Sequence, residues 1–318
     1  MIASDDFDSR THNQPGTAQP STAQPSTAQS SPGQPSADQL ITDQLIAYVN
    51  EQIELLAFDE PDPDLLRQMV EGFADARQAT RLSLIEAFAQ IGEPATPFLL
   101  DGLANHGVTT ARQACCHALS NIGDSQAVSG LVQVLQNDAD IVVKGAAASA
   151  LASVGEPAFV PLCKVLASST ADESCKGQAA WAIASMSAEI SVQLYDAIDD
   201  PSPTVRTAVI GAIAQLARQS KDPNASKAIR QALSDPCPEV RIEAAADLAR
   251  LNDQDAYQIL IDLLGDPEPS VRKAVILALG KFDREGTAEA IAPLANDPSP
   301  QVQRVATLVM TQLQTQTA

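Results

Sequence analysis

Five cysteines and three histidines are the side chains of this 318-residue chain that could bind a transition metal or act as nucleophiles. Cys115, Cys116 and His117 are consecutive, and consecutive residues of a helix point in different directions, so they cannot share one ligand site. A zinc or iron–sulfur site would require Cys163 and Cys175 to approach Cys116 from neighbouring elements. No base stands at helix-face spacing from a thiol, and free cysteine is often buried as a small apolar residue. We therefore expect neither a catalytic residue nor a metal site.

A second set of candidates consists of basic side chains that recur every 30 to 35 residues. Its members are Arg81, Arg112, Lys144, Lys176, Arg206, Arg241 and Arg272. A row of cations could bind an anionic ligand. The alternative is that each cation pairs with an aspartate of its own or the next repeat, for example Arg241 with Asp235 or Asp266. We favour this alternative, in which the ladder fixes the spacing of structural repeats.

A third set lies one, five and nine residues after each basic position, and these positions face outward if the positions between them are buried. The fifth position is occupied by His117, Trp181, Leu277 and Leu308, with mostly small residues between them. Small residues predict an open groove, and tryptophan is enriched at binding hot spots. We expect a protein-binding groove around Trp181, with Tyr195 of the next element as a companion. The alternative is that Trp181 fills a gap among the alanines around it.

A repeated element must position these side chains. The phrase Asp-Pro-x-Pro begins at Asp200, Asp235, Asp266 and Asp297, and a Val-Arg or Val-Gln pair follows it each time. Proline lacks the N–H donor of a helix interior and restricts the residue before it. Each phrase therefore ends one helix and starts the next, and we expect its aspartate to cap free amides.

Between these phrases, small or apolar residues recur two or three, six, seven and ten residues after each basic position, which indicates a helix buried along one stripe. Alanine at the sixth position lets neighbouring helices approach closely. A second, shorter helix follows a glycine turn, for example at residues 123–124. The sequence therefore predicts an all-α protein, a right-handed α-solenoid of about eight HEAT-like helical-hairpin repeats.

The chain divides into three parts. Residues 1–38 are rich in Ser, Thr, Gln and Pro and contain a repeated Thr-Ala-Gln-Pro-Ser unit. Such a segment buries too little apolar surface to offset its ordering entropy, so we expect a disordered tail. Residues 39–64 are expected to form an N-terminal helical cap, and residues 65–318 the repeat array, which ends in a polar capping repeat.

Composition excludes several classes of function. The net charge of −20 argues against binding to nucleic acids or to anionic membrane surfaces, because both attract basic proteins. An acidic N-terminus without an apolar stretch predicts no signal peptide, and no apolar run is long enough to span a membrane. An odd number of cysteines without a regular framework predicts reduced thiols in the cytoplasm.

Two segments resemble the HEAT-like repeats of the phycobilin lyase E/F group of cyanobacteria, namely residues 271–283 and 114–124. The resemblance covers residues 65–314. Members of that group join or detach linear tetrapyrroles on antenna proteins, assist antenna breakdown or bind other assembly factors. Deoxyhypusine hydroxylase is another enzyme built from such repeats, and its iron site needs His-Glu pairs. It is a poor match, because no histidine of this chain is directly followed by a glutamate.

The sequence thus favours a non-catalytic scaffold or adaptor that grips a protein on its concave face. The resemblance implies phycobiliprotein assembly or turnover as the process, and a phycobiliprotein or a second lyase-like subunit as the partner. One alternative is a subunit of a heteromeric phycobilin lyase, with a linear tetrapyrrole carried transiently and no resident cofactor. Another is an adaptor that binds an iron–sulfur assembly protein through its thiols. The acidic excess predicts salt-sensitive association with a basic patch in each case.

Overall fold

The computed structural model of the chain describes residues 35–55, 61–220, 222–282 and 284–316. The expected tail lies outside this part except for residues 35–38. The described residues form seventeen α-helices and no strand, which confirms the all-α expectation. The odd-numbered helices are α1 (Ala37–Glu54), α3 (Gln78–Ile91), α5 (Thr109–Ile122), α7 (Ile141–Val154), α9 (Glu173–Ser185), α11 (Pro203–Ser220), α13 (Pro238–Arg250), α15 (Pro269–Leu279) and α17 (Pro300–Gln316). The even-numbered helices are α2 (Pro63–Glu71), α4 (Thr96–Asn105), α6 (Val128–Asn137), α8 (Glu156–Ala167), α10 (Ser191–Asp196), α12 (Pro223–Ala232), α14 (Tyr257–Asp262) and α16 (Thr287–Ile291).

The odd-numbered helices form one continuous layer, because each packs against the next from α1 to α17. The even-numbered helices lie behind them. In the N-terminal half α2, α4, α6 and α8 also contact one another in series. In the C-terminal half α10, α14 and α16 are shorter, with five or six residues each, and the even-numbered helices pack mainly on their odd-numbered neighbours, as α14 does on α15. Helix pairs stacked in this way form an α-solenoid, as predicted.

Alanine makes the close packing of the first layer possible. The residue six positions after each basic residue is buried in every described repeat from α3 to α15. Six of these residues are alanines, namely Ala87, Ala118, Ala150, Ala182, Ala212 and Ala278. In α13 the same position is occupied by Asp247, whose side chain is also fully buried. The apolar stripe read from the sequence is therefore the core, with one charged exception.

The Asp-Pro turns start helices as expected, but their aspartates do not bind amides of the helix itself. Helix α13 begins at the second proline, Pro238. Asp235 Oδ1 accepts a hydrogen bond of 2.7 Å from the N–H of Cys237, the residue before the helix. The same bond to the second following residue recurs at Asp200, Asp266 and Asp297, with lengths of 2.8, 2.9 and 2.8 Å. The aspartate therefore closes a short turn ahead of the helix rather than capping it.

The N-terminal boundaries differ from the expected ones. Helix α1 begins at Ala37, inside the expected tail, because Ser36 and Gln39 form a capping box. The expected boundary between residues 64 and 65 falls inside α2, which begins at Pro63. Since α1 packs on α3 and α2 packs on α4, the cap continues both layers as a further helical hairpin.

No helix in the described part of the chain is long and apolar enough to cross a lipid bilayer.

Candidate protein-binding grooves

Trp181 stands in α9 on the open side of the first layer and is 53% exposed. It lines a groove of about 680 Å³ that crosses α9, α11 and α13, here called the Trp181 groove. Small residues leave this space open, among them Ala180, Ala184, Ala208 and Gly211. Trp181 therefore does not fill a buried gap among alanines. It forms a wall of a groove.

A second groove, of about 600 Å³, crosses α13, α15 and α17 and is here called the Leu277 groove. Leu277, which is 45% exposed, lines it together with Ile242 and Val309, and Ala246 and Ala274 leave room between them. Leu277 occupies in α15 the repeat position that Trp181 occupies in α9. Residues at one repeat position of stacked helices point to the same side, so both grooves open on one face of the first layer.

The Trp181 groove has an acidic rim, since its charged lining residues are Glu173, Glu239, Glu243 and Lys176. Lys176 Nζ lies 3.6 Å from a carboxylate oxygen of Glu173, its neighbour one helical turn away. Glu239 Oε2 accepts a hydrogen bond of 2.8 Å from the Cys237 thiol, and this bond lowers the pKa of Glu239. With the single lysine already paired, the groove presents negative charge to a ligand.

The Leu277 groove has the opposite charge. Its charged lining residues are Arg250, Lys273 and Lys281, and its lining holds no carboxylate. The guanidinium of Arg250 lies 2.9 Å from Asp247 Oδ1 and 3.4 Å from Glu243 Oε1. Within the described residues neither lysine has a carboxylate partner within ion-pair distance. The two lysine charges are therefore available to a ligand.

Three of the predicted groove residues do not line either groove. His117 is exposed in α5, and Leu308 is 63% exposed in α17. Tyr195 lies in α10, outside the first layer, and donates a hydrogen bond of 2.7 Å to Asp222. Burial raises the pKa of Tyr195, and the bond to Asp222 raises it further. The structure thus brings Tyr195 to the start of α12 and not to Trp181, because α10 is a short second-layer helix.

Four arginines of the basic ladder bridge consecutive repeats. Arg241 donates from Nε and Nη2 to both carboxylate oxygens of Asp266, at 2.9 Å each, and from Nη1 to the carbonyl of Asp235 at 2.8 Å. It thus makes both of the contacts considered from the sequence. The same double bridge joins Arg112 to Asp138, Arg206 to Asp235 and Arg272 to Asp297. These arginines are nearly buried, so their charge is used within the fold rather than offered to an anion.

The other three basic residues of the ladder make weaker contacts, or none, with the next repeat. Lys144 Nζ lies 3.7 Å from Asp172 of the next repeat, and Lys176 pairs only with Glu173 of its own helix. Arg81 donates to a backbone carbonyl of its own repeat. The bidentate bridge is therefore missing between the repeats of α9 and α11, and Lys176 lines the Trp181 groove instead.

The thiols are mostly inaccessible. Cys115, Cys116 and Cys175 are buried, whereas His117 beside the first two is exposed. Burial raises the pKa of Cys116 to about 12 and that of Cys163 to about 11, so both stay protonated at neutral pH. Among the described residues, no group of three His, Cys, Asp or Glu side chains is placed to hold a metal ion.

Apart from Lys176, the charged residues that line the two grooves are not among those predicted from the sequence. Lys273 and Lys281 stand one and nine residues after Arg272, which are positions expected to face outward. The repeat pattern therefore predicts that both lysines face outward. Nothing in the sequence of a single helix indicates that they line a groove shared with α13 and α17.

Comparison with known sequences places the chain in a family. It matches the profile of HEAT repeats over residues 57–152, 128–208 and 226–311, which together make up more than half of its length. The chain belongs to the HEAT-repeat family, in agreement with its stacked helical hairpins.

One similar sequence is that of a bilin biosynthesis protein. The chain is 31% identical over 197 residues to the bilin biosynthesis protein MpeU of Synechococcus sp. (strain WH8020). The match covers 61% of this chain and 66% of that protein, just under two thirds of its length. This similarity confirms the resemblance to HEAT-like proteins of the phycobilin lyase group.

Solved structures show the fold alone. Kap121p bound to Nup53p is similar with a TM-score of 0.51 at 14% identity, over 89% of this chain and 38% of that one. The complex of CpcE and CpcF of phycocyanin lyase from Nostoc sp. PCC7120 gives a TM-score of 0.31 at 18% identity, over 80% and 95% of the two chains. The second score is too low to support a geometric argument.

Proposed function

We propose that this chain is a non-catalytic scaffold that binds a protein partner through the Trp181 groove. The main observation that supports this proposal is the exposure of Trp181. Aromatic residues make up only 3% of the chain, and its one tryptophan stands 53% exposed at a groove of about 680 Å³. A large aromatic residue exposed beside small apolar residues is typical of a binding hot spot. A stacked solenoid also needs little reorganisation to bind, which lowers the entropic cost of association.

The similarity to a bilin biosynthesis protein supports phycobiliprotein assembly or turnover as the process. The partner is then a phycobiliprotein or a second lyase-like subunit. The structure of Kap121p bound to Nup53p shows that a HEAT-type solenoid of similar fold holds another protein, which supports a protein as the ligand.

The test is capture of partners from a cyanobacterial lysate by the immobilised chain and by its Trp181→Ala variant. We expect phycobiliproteins or a lyase-like subunit with the wild-type chain and at least a tenfold loss with the variant, since hot-spot truncation costs about 2 kcal/mol or more. Tyr48→Ala is the matched control, because Tyr48 is 51% exposed in α1, far along the chain from the groove. Equal capture by the wild-type chain and the Trp181→Ala variant would rule out the groove as the binding site.

A second candidate function is that of a subunit of a heteromeric phycobilin lyase. Two observations favour it, the similarity to a bilin biosynthesis protein and a groove volume within the range of about 300–1,000 Å³ typical of small-molecule sites. If the groove carries a bilin, adding a linear tetrapyrrole should quench the fluorescence of Trp181 and change the visible absorbance of the pigment. A scaffold that binds only protein should cause neither change.

A further inference from the structure

The two grooves on the open face of the first layer carry opposite charges. Glutamates dominate the lining of the Trp181 groove, whereas the Leu277 groove is lined by cations without a carboxylate. The chain has a net charge of −20, yet the charged residues that line the Leu277 groove are all cations. A ligand that fits both grooves must therefore carry both signs of charge, separated along its length.

Helix α13 joins the two grooves. Glu243 lines the Trp181 groove and Arg250 lines the Leu277 groove, and their side chains approach to 3.4 Å. The ridge between the grooves is thus an internal ion pair, which leaves the charges on either side of it to select the ligand. Glu239 remains on one side, and Lys273 and Lys281 remain on the other.

We propose that the two grooves together bind one amphipathic helix of the partner protein, with its basic end in the Trp181 groove and its acidic end in the Leu277 groove. This proposal rests on the proposed function, because it takes a protein as the ligand of the same face, and it adds the chemistry and the orientation of the bound segment.

A helix suits these grooves better than an extended segment does. The groove walls are faces of α-helices, whose backbone N–H and C=O groups are paired within each helix. One common way for an extended segment to satisfy its backbone is to pair with a free sheet edge, and the described residues contain no strand that could offer one. A helix brings its own hydrogen bonds and offers a continuous apolar stripe to Trp181 and Leu277.

The length of the segment follows from helix spacing. Four steps separate α9 from α17 in the first layer, and neighbouring helices are roughly 8–10 Å apart. The two grooves together therefore span about 35 Å, which corresponds to a helix of about 24 residues.

Charge decides the orientation. An acidic segment is repelled by most of this chain, and Lys273 and Lys281, which have no carboxylate partner among the described residues, offer it a favourable position. A basic segment is attracted to the opposite end, where Glu239 lines the rim. Reversing the segment would place like charges together at both ends, which disfavours the wrong orientation.

The experiment uses a designed helical peptide of about 24 residues with an apolar stripe, lysines at one end and glutamates at the other. The peptide contains no tryptophan, so the fluorescence of Trp181, the only tryptophan of the chain, reports binding. A second peptide has the same composition with its charges mixed along the length. Two further versions of the first peptide carry a nitroxide quencher, at the basic end or at the acidic end.

We expect the charge-separated peptide to bind the full chain at least tenfold more tightly than the mixed one. The quencher at the basic end should quench Trp181 strongly, and the quencher at the acidic end only weakly. Replacing Lys273 and Lys281 together by glutamate should weaken binding about tenfold, because it removes two exposed ion pairs and places like charges opposite the acidic end. The matched control is Lys227→Glu, because Lys227 is exposed in α12 and lines neither groove, and it should leave the affinity unchanged.

The possible failures are distinguishable. If both peptides bind with equal affinity, or if both quenchers reduce the fluorescence equally, the grooves bind helices regardless of the order of their charges. This inference is then wrong, while the proposed function stands. If neither peptide alters Trp181 fluorescence, a helical ligand for these grooves is excluded. In that case the proposed function stands if capture of a natural partner still depends on Trp181. If capture is the same with and without Trp181, both the proposed function and this inference are wrong.

Discussion

Asp247 is a buried carboxylate at a repeat position where six other repeats carry alanine, and we expect Asp247→Ala to stabilise the protein at neutral and higher pH. Its side chain is fully buried in α13, between α11 and α15. Arg250 Nη1 lies 2.9 Å from Oδ1, but neither carboxylate oxygen has a hydrogen-bond partner among the described residues. A buried charge without hydrogen bonds costs free energy, whereas alanine at this position allows the close packing seen elsewhere in the layer.

The size of the effect follows from the pKa. Burial, and to a smaller extent the charge of Glu243, raise the pKa of Asp247 from 3.8 to about 7, against the opposing charges of Arg250 and Arg218. Since one pKa unit corresponds to about 1.4 kcal/mol, the ionised carboxylate lowers the free energy of unfolding by about 4 kcal/mol.

The sign depends on pH in a defined way. Below about pH 4 Asp247 is protonated in both the folded and the unfolded state, so the penalty is absent. Between about pH 4 and pH 7 the folded state keeps a proton that the unfolded state releases, and the stability of the wild-type protein falls as the pH rises. Above about pH 7 the loss is complete. The advantage of Asp247→Ala should therefore grow across this interval and then level off.

Urea denaturation followed by circular dichroism at about pH 4.5 and pH 8 measures the effect as a change in the unfolding midpoint. Asp247→Asn is the matched control, because it keeps the size of the side chain and its unmet hydrogen bonds but removes the charge. It should lose the same pH dependence while remaining less stable than Asp247→Ala. If the difference between wild type and Asp247→Ala were the same at both pH values, the carboxylate would not titrate as argued and the reasoning would be refuted.

Two further predictions concern the ladder and the thiols. Arg241→Ala should lower the free energy of unfolding by about 3 kcal/mol or more, because it leaves the buried Asp266 unpaired. Arg67→Ala, which removes an exposed ion pair, should cost less than about 1 kcal/mol in the same urea titration, and a similar loss in both variants would contradict the bridging role of the ladder. In the native protein the buried Cys116 should resist alkylation at about pH 8, whereas the partly exposed Cys237 should react slowly. Mass spectrometry of peptides measures both rates. Rapid labelling of Cys116 would mean that the first layer opens readily.

The sequence alone determines the repeat and its register. A 3.6-residue period and the Asp-Pro phrases decide which positions of each first-layer helix are buried, because both properties are local to one helix and one turn. Alanine at the sixth position is buried and Trp181 at the fifth is exposed for this reason. The repeat spacing also predicts Asp235 and Asp266 as the two possible partners of Arg241. The guanidinium binds the carboxylate of Asp266 and the backbone carbonyl of Asp235.

Only the tertiary structure decides which outward positions act together. Tyr195 follows Trp181 closely in sequence but lies in a second-layer helix and bonds to Asp222, since the chain turns away between α9 and α10. Lys273 and Glu239 both lie on the open face of the first layer, yet they line different grooves of opposite charge. Each groove is formed by three helices, and each of them begins 30 to 35 residues after the one before it. The shape and charge of the groove therefore depend on how neighbouring repeats stack. Local periodicity specifies the face of each helix, and stacking specifies what that face can bind.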